Sequence, residues 1–103
     1  NQYSMNIIIQ YVNMDSSESL SNYTKEKLQK LAKRYDWLIG CDVFFKQDNN
    51  QKEQGKICNM ELSLPGPKIF ATSTEKNFEA AVKETINDLD IQLKKRKQTF
   101  STH

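Results

Sequence analysis

The chain has 103 residues, and its 15 Lys and Arg residues against 13 Asp and Glu residues give a formal net charge of +2. This length suits one domain, and 10% aromatic residues with so small a net charge exclude a chain that is disordered throughout. No apolar run of about 18 residues occurs, which excludes a membrane-spanning helix. Two cysteines are too few for a disulfide scaffold and fit a reducing compartment. We therefore expect one cytoplasmic domain, whose partner must be inferred from the distribution of its charges.

The amino-terminal segment predicts a short leader followed by a strand. Residues 1–4 show no pattern and precede Met5, which we interpret as the natural start of a domain over residues 5–97. The β-branched run within residues 7–12 favours a strand over a helix.

A first amphipathic helix is predicted over residues 17–35. Any of residues 15–17 is a suitable cap, and Asp15 with Glu18 has the spacing of a capping box. Apolar side chains then recur every three or four residues and form one stripe, which consists of Leu20, Tyr23, the stem of Lys27, Leu28, Leu31 and Tyr35.

Three further strands are predicted, at residues 41–46, 57–64 and 68–73. The polar stretch 47–54 is typical of a hairpin loop, and a hairpin that folds about residues 51 and 52 places Cys41 opposite Leu62. Residues 57–64 alternate between apolar and polar, which predicts a sheet with one buried face.

The last element is a long helix that Asn77 caps. One apolar stripe runs along it, and residues 98–103 are expected to form a frayed tail. The order β-α-β-β-β-α predicts an α+β fold in which two helices cover one face of a four-stranded sheet. The stripe consists of Phe78, Ala81, Val82, Thr85, Ile86, Leu89 and Leu93.

The sequence offers no set of groups for catalysis. His103 is the only histidine and is the terminal residue, so a nucleophile has no base. Cys41 and Cys58 have no partner at zinc-site spacing, and their predicted strands are out of register for a disulfide. We expect a binding protein that is not an enzyme, with no cofactor, metal or small-molecule substrate.

Positive charge is concentrated in two places. Five cations and one acid, Glu26, lie in residues 25–34, and four consecutive cations lie in residues 94–97. Two adjacent helices would join these clusters into one surface that neutralises phosphates. The alternative is that the cations serve solubility and the helix dipole. The aromatic side chains of Phe44 and Phe70 form a competing site on the polar sheet face, where packing by neighbours or a partner is favoured over base stacking.

At these residues the sequence resembles the ribosome hibernation-promoting factor family, also called ribosome-associated inhibitors. The resemblance spans about residues 5–97. It rests on MNIIIQ, SLSNYTKEKLQKLAKRYDWLIGCDVFF and LSLPGPKIFATSTEKNFEAAVKETINDLDIQLKKRK, taken in order and without gaps. Because nothing after these segments matches a further domain, the chain looks like a short form.

The resemblance implies a fold like that of double-stranded-RNA-binding domains. It also implies a protein that occupies the messenger RNA and tRNA channel of the small ribosomal subunit in stationary or starved bacteria. We expect the free protein to be a monomer. Lys83 stands where the family usually has Asp. Two alternatives stay open: an RNA-binding module acting away from the ribosome, and a protein-interaction domain. The residues that the resemblance and the charge clusters together assign to RNA are Lys25, Lys27, Lys30, Lys33, Arg34, Lys83, Lys94, Lys95, Arg96 and Lys97.

Overall fold

The computed structural model describes residues 5–50 and 53–101. The predicted order of elements is confirmed, and the strand ends differ from the expected ones by one or two residues. The leader expected at residues 1–4 lies outside the described residues. The elements are β1 (Asn6–Tyr11), α1 (Glu18–Arg34), β2 (Gly40–Gln47), β3 (Lys56–Ser63), β4 (Ile69–Glu75) and α2 (Phe78–Ser101).

The described strands form one sheet in the order β1-β2-β3-β4. The strands β1 and β2 are parallel because α1 connects them, and the other pairs are antiparallel. The predicted hairpin register is confirmed, since Cys41 lies opposite Leu62. Cys58 consequently lies opposite Phe45, and both thiols are buried and free.

One face of the sheet carries the core. The alternating side chains of β3 predicted to face inward, among them Cys58, Met60 and Leu62, are buried. Leu28 of α1 and Leu89 of α2 are also buried in this cluster, so both helices cover the same face, as predicted. Burying a side chain of this size contributes about 1.5–3 kcal/mol, and this burial holds the helices beside each other.

The start of α1 differs from the predicted capping box. Ser17 is the cap, and its hydroxyl accepts a hydrogen bond from the Leu20 amide at 3.2 Å. A box between Asp15 and Glu18 does not form, because the helix begins only at Glu18. The Tyr11 hydroxyl donates to the Ser17 carbonyl at 2.8 Å, which fixes the helix start on β1.

The start of α2 is the predicted one, but its end is not. The Asn77 side chain accepts a hydrogen bond from the Ala80 amide at 2.8 Å. The helix continues through residues 98–101, which the sequence analysis assigned to a frayed tail, and residues 102 and 103 lie outside the described part. The Phe100 ring contacts Trp37, with centroids 5.1 Å apart, and this contact extends the packing of the helix by a turn.

Candidate nucleic-acid interface

The two helices run in the same direction and enclose a groove. Lys27 near the middle of α1 and Lys83 near the start of α2 line one cleft, of about 290 Å³. Arg34 at the end of α1 lines both this cleft and a second one of about 620 Å³, where Lys94 and Lys97 lie. We call these five residues the basic groove: Lys27, Arg34, Lys83, Lys94 and Lys97.

Asp90 joins the helices at the centre of the basic groove. Its carboxylate accepts a hydrogen bond from the Tyr35 hydroxyl at 2.6 Å and from the Arg34 guanidinium at 3.2 Å. The Lys94 ammonium lies 3.9 Å away on the next turn of α2. No local pattern in the sequence marks Asp90, because its partners at the end of α1, Tyr35 and Arg34, are 55 and 56 positions distant.

The contact between Asp90 and Tyr35 shifts the pKa of both side chains. Burial alone raises the pKa of the Asp90 carboxyl, but the Tyr35 hydroxyl and the Arg34 and Lys94 cations outweigh burial and hold it below its ordinary 3.8. Burial and the hydrogen bond to Asp90 raise the pKa of Tyr35 to about 12. Asp90 is therefore ionised and Tyr35 is neutral at physiological pH.

The basic groove keeps a surplus of positive charge. Glu84 and Asp90 are the acids among its lining residues, and Asp90 is shared between two cations. Within the described residues, no carboxylate lies within 4 Å of the ammonium of Lys83 or Lys97. These two cations are exposed and available to an anionic ligand.

Lys27 combines packing with a position in the groove. It lies on the apolar stripe of α1 and is partly buried, while its ammonium lies 5.4 Å from the centre of the Tyr23 ring. A cation over an aromatic face gains roughly 0.5–1 kcal/mol at an exposed site. The partial burial of Lys27 and the position of its ammonium near the Tyr23 ring are consistent with a side chain whose stem packs on the helix.

The other predicted residues lie outside the clefts of the basic groove. Lys30 is exposed three residues after Lys27 and four before Arg34, and therefore shares their side of α1. Lys25 and Lys33 are exposed elsewhere on α1. On α2, Lys95 and Arg96 line a different cleft, together with Ile69 of β4, Gln92 and Thr99.

Arg96 has a structural role. Its guanidinium donates hydrogen bonds to the carbonyls of Pro65 and Pro67, at 3.1 and 2.9 Å. Gly66, between them, has a φ of +93°, and a Cβ at that position would lie 3.1 Å from the Arg96 guanidinium. Arg96 therefore holds the turn before β4 against α2.

The polar face of the sheet carries Phe44 and Phe70, as expected from the sequence. Phe70 is 63% exposed and Phe44 is partly buried; both line a cleft of about 480 Å³. Beside them, Thr72 donates a hydrogen bond to Asn59, and Lys68 forms an ion pair with Glu61 at 2.7 Å. Among the described residues lining this cleft there is no cation, in contrast to the clefts of the basic groove.

Among the described residues, no cluster of three or more His, Cys, Asp or Glu side chains is arranged to hold a metal ion. Burial raises the pKa of both Cys41 and Cys58 to about 12, so the thiols are protonated at neutral pH. In the part of the chain that the structure describes, no helix has the length and apolar character to cross a membrane.

Comparison with known proteins identifies the sequence family. A family model described as Sigma 54 modulation protein / S30EA ribosomal protein matches residues 7–100. A ribosome hibernation promoting factor from Pseudomonas putida is 28% identical over 94 residues, which cover 91% of this chain and 88% of the relative.

Solved structures share the fold. A ribosomal subunit interface protein from Coxiella burnetii superposes with a TM-score of 0.81 at 26% identity, over 91% of this chain and 99% of that one. The N-terminal domain of Protein Y from Thermus thermophilus superposes with a TM-score of 0.76 at 20% identity, over 88% of this chain and 98% of that domain.

Proposed function

Since the chain belongs to the Sigma 54 modulation protein / S30EA ribosomal protein family, we propose that it is a cytoplasmic, ribosome-binding hibernation factor. It binds the small ribosomal subunit and occupies the channel for messenger RNA and tRNA. Occupation silences idle ribosomes in stationary or starved cells by steric exclusion. This requires no chemical step, cofactor or second substrate.

The observation that carries the proposal is the convergence of cations from two distant parts of the chain. Lys27 and Arg34 come from α1, and Lys83, Lys94 and Lys97 come from α2, yet the five line two clefts that share Arg34. Lysine and arginine that replace counterions on phosphates supply sequence-independent affinity for RNA. The names of the Pseudomonas putida and Coxiella burnetii relatives support the ribosome as the source of that RNA.

Phosphate contact and steric occupation predict two properties of binding. The affinity falls steeply with salt, because each neutralised phosphate releases counterions on association. Messenger RNA together with tRNA displaces the protein, because they occupy the same channel.

A matched pair of charge-reversal variants tests the interface. Lys83→Glu with Lys97→Glu changes two exposed cations of the basic groove, and Lys25→Glu with Lys95→Glu changes two exposed cations outside it by the same net charge. Co-sedimentation with isolated small subunits across a salt series is the measurement. The groove variant should lose about tenfold or more in affinity, and its salt slope should fall by about two.

Three results would contradict the proposal in different ways. Equal losses in both double variants would mean that overall charge, and not the basic groove, drives binding. Competition by free duplex RNA as effective as that by small subunits would favour a module acting away from the ribosome. Binding that neither pair nor salt affects would favour a protein partner.

A further inference from the structure

A small aromatic cluster lies at one end of the basic groove. The Trp37 ring stands edge-on between Tyr35 and Phe100, with centroids 5.8 and 5.1 Å away. Tyr35 is buried, whereas Trp37 is partly buried and Phe100 is 43% exposed. We call Tyr35, Trp37 and Phe100 the aromatic patch. Ile39, two residues after Trp37, is 60% exposed.

The aromatic patch is continuous with the basic groove. The Lys97 ammonium lies 6.0 Å from the Tyr35 ring centre, and the Arg34 guanidinium lies 5.9 Å from it. Tyr35 itself lines the cleft of about 620 Å³ that holds Arg34, Lys94 and Lys97. Tyr35 therefore connects this cleft to the partly buried Trp37 ring and, through it, to the exposed Phe100 ring.

The charges around the patch favour RNA over an apolar protein partner. The three cations at this end of the groove, Arg34, Lys94 and Lys97, attract phosphate. The carboxylate of Asp90, which Arg34 and Lys94 share, offsets one of these three positive charges and leaves a surplus of two. Cations beside exposed aromatic rings are the combination that binds single-stranded nucleic acid, with phosphates on the cations and bases on the rings.

We propose that the aromatic patch is a stacking site for an unpaired nucleobase of the RNA whose phosphates lie in the basic groove. The proposal rests on the function proposed above and adds a second class of contact to it. Trp37 and Phe100 supply the stacking surface, and Lys97 joins this surface to the groove. Stacking tolerates any base, so the site selects unpaired RNA over duplex without reading its sequence.

The single tryptophan of the chain makes this site directly measurable. The protein is titrated, at one salt concentration, with a short oligoadenylate and with an abasic phosphodiester chain of equal length. Oligoadenylate should quench the fluorescence of Trp37 saturably and bind about fivefold or more tightly than the abasic chain. The abasic chain should leave the fluorescence unchanged.

Two leucine variants separate stacking from packing. Phe100→Leu keeps an apolar side chain against Trp37 but removes the ring, and it should lose most of the advantage of oligoadenylate over the abasic chain. Phe70→Leu makes the same change at an exposed ring on the opposite sheet face and should keep that advantage. A thermal melt of each variant establishes that it is folded.

Each outcome decides one question. If Trp37 fluorescence does not respond to oligoadenylate, or if the abasic chain binds as tightly, the stacking site is wrong. If the protein nevertheless sediments with small subunits in a salt-dependent manner, the proposed function stands without it. If it neither responds to oligoadenylate nor sediments with small subunits, both proposals are wrong.

Discussion

At the scale of single residues, Asp90 links the two helices at the centre of the basic groove. Its carboxylate contacts Arg34 at the end of α1, Tyr35 immediately after α1, and Lys94 from its own helix. The side chain is only 14% exposed, so water replaces these partners poorly. Removing its charge should therefore weaken the packing of one helix on the other.

Asp90→Asn should lower the free energy of unfolding at neutral pH by about 1.5–3 kcal/mol, the usual contribution of a hydrogen bond to a charged group. The pKa of Asp90 is lowered in the folded state, so its contribution is present above its unfolded value of 3.8 and is lost as the pH falls through the folded value. Urea unfolding at neutral and acidic pH measures this. A difference between the wild type and the variant that stays constant from neutral to acidic pH would contradict the assignment.

The raised pKa of Tyr35 predicts how the stability of the fold changes at alkaline pH. Its pKa is raised from 10.0 to about 12, so its contribution is complete below pH 10.0 and is lost as the pH rises towards 12. Tyr35→Phe removes the titrating hydroxyl and should show a shallower alkaline loss of stability in urea unfolding. The two buried thiols also destabilise the fold above pH 9.0, but they are present in both proteins and cancel in the comparison. Equal alkaline slopes would show that Tyr35 does not contribute.

At the scale of elements, the four consecutive cations at residues 94–97 of α2 lie on different faces of the helix. Lys94 and Lys97 line the groove beside α1, whereas Lys95 and Arg96 lie towards β4. This follows from the turn of about 100° per residue in a helix, which places neighbours in sequence on different faces. A basic run in the sequence thus becomes two surfaces with different roles.

Arg96→Gln should separate stability from binding. The variant loses the two hydrogen bonds to the Pro65 and Pro67 carbonyls and should be destabilised by about 1–2 kcal/mol in urea unfolding. Its affinity for small subunits should stay within about twofold of the wild type. Lys97→Gln is the matched control, and it should lower affinity with little change in stability. A tenfold loss of affinity in folded Arg96→Gln would place Arg96 in the interface.

The elements themselves were predictable because their signals are local. The period-2 pattern of β3 and the three-and-four spacing of α1 and α2 each follow from neighbours in sequence. Which residues line the basic groove was not predictable, because this depends on how α1 and α2 pack across the core. The resemblance assigned Lys95 to RNA, and the packing of α2 on the sheet places it in a different cleft from Lys97, beside Ile69 of β4. The contact between Trp37 and Phe100 likewise joins residues too distant for any periodicity to report.

At the scale of the whole molecule, the sheet separates two surfaces of different character. The helices and the basic groove lie on its covered face. The open face carries exposed Ile8 and Phe70, together with the Lys68–Glu61 ion pair. Apolar side chains on an open sheet face are also a competing surface for protein partners. Because the sheet lies between the two surfaces, we expect substitutions on them to act independently.

Ile8→Ser combined with Phe70→Ser tests that independence. Both side chains are exposed, at 47% and 63%, so the variant should fold and should bind small subunits within about twofold of the wild type. Combined with the Lys83→Glu and Lys97→Glu pair, it should add no further loss, because distant sites contribute additively. Co-sedimentation of the wild type and the three variants at one salt concentration gives the comparison. If the serine variant lost binding while the groove variant kept it, the sheet face would be the binding surface, and the cations of the groove would serve only solubility.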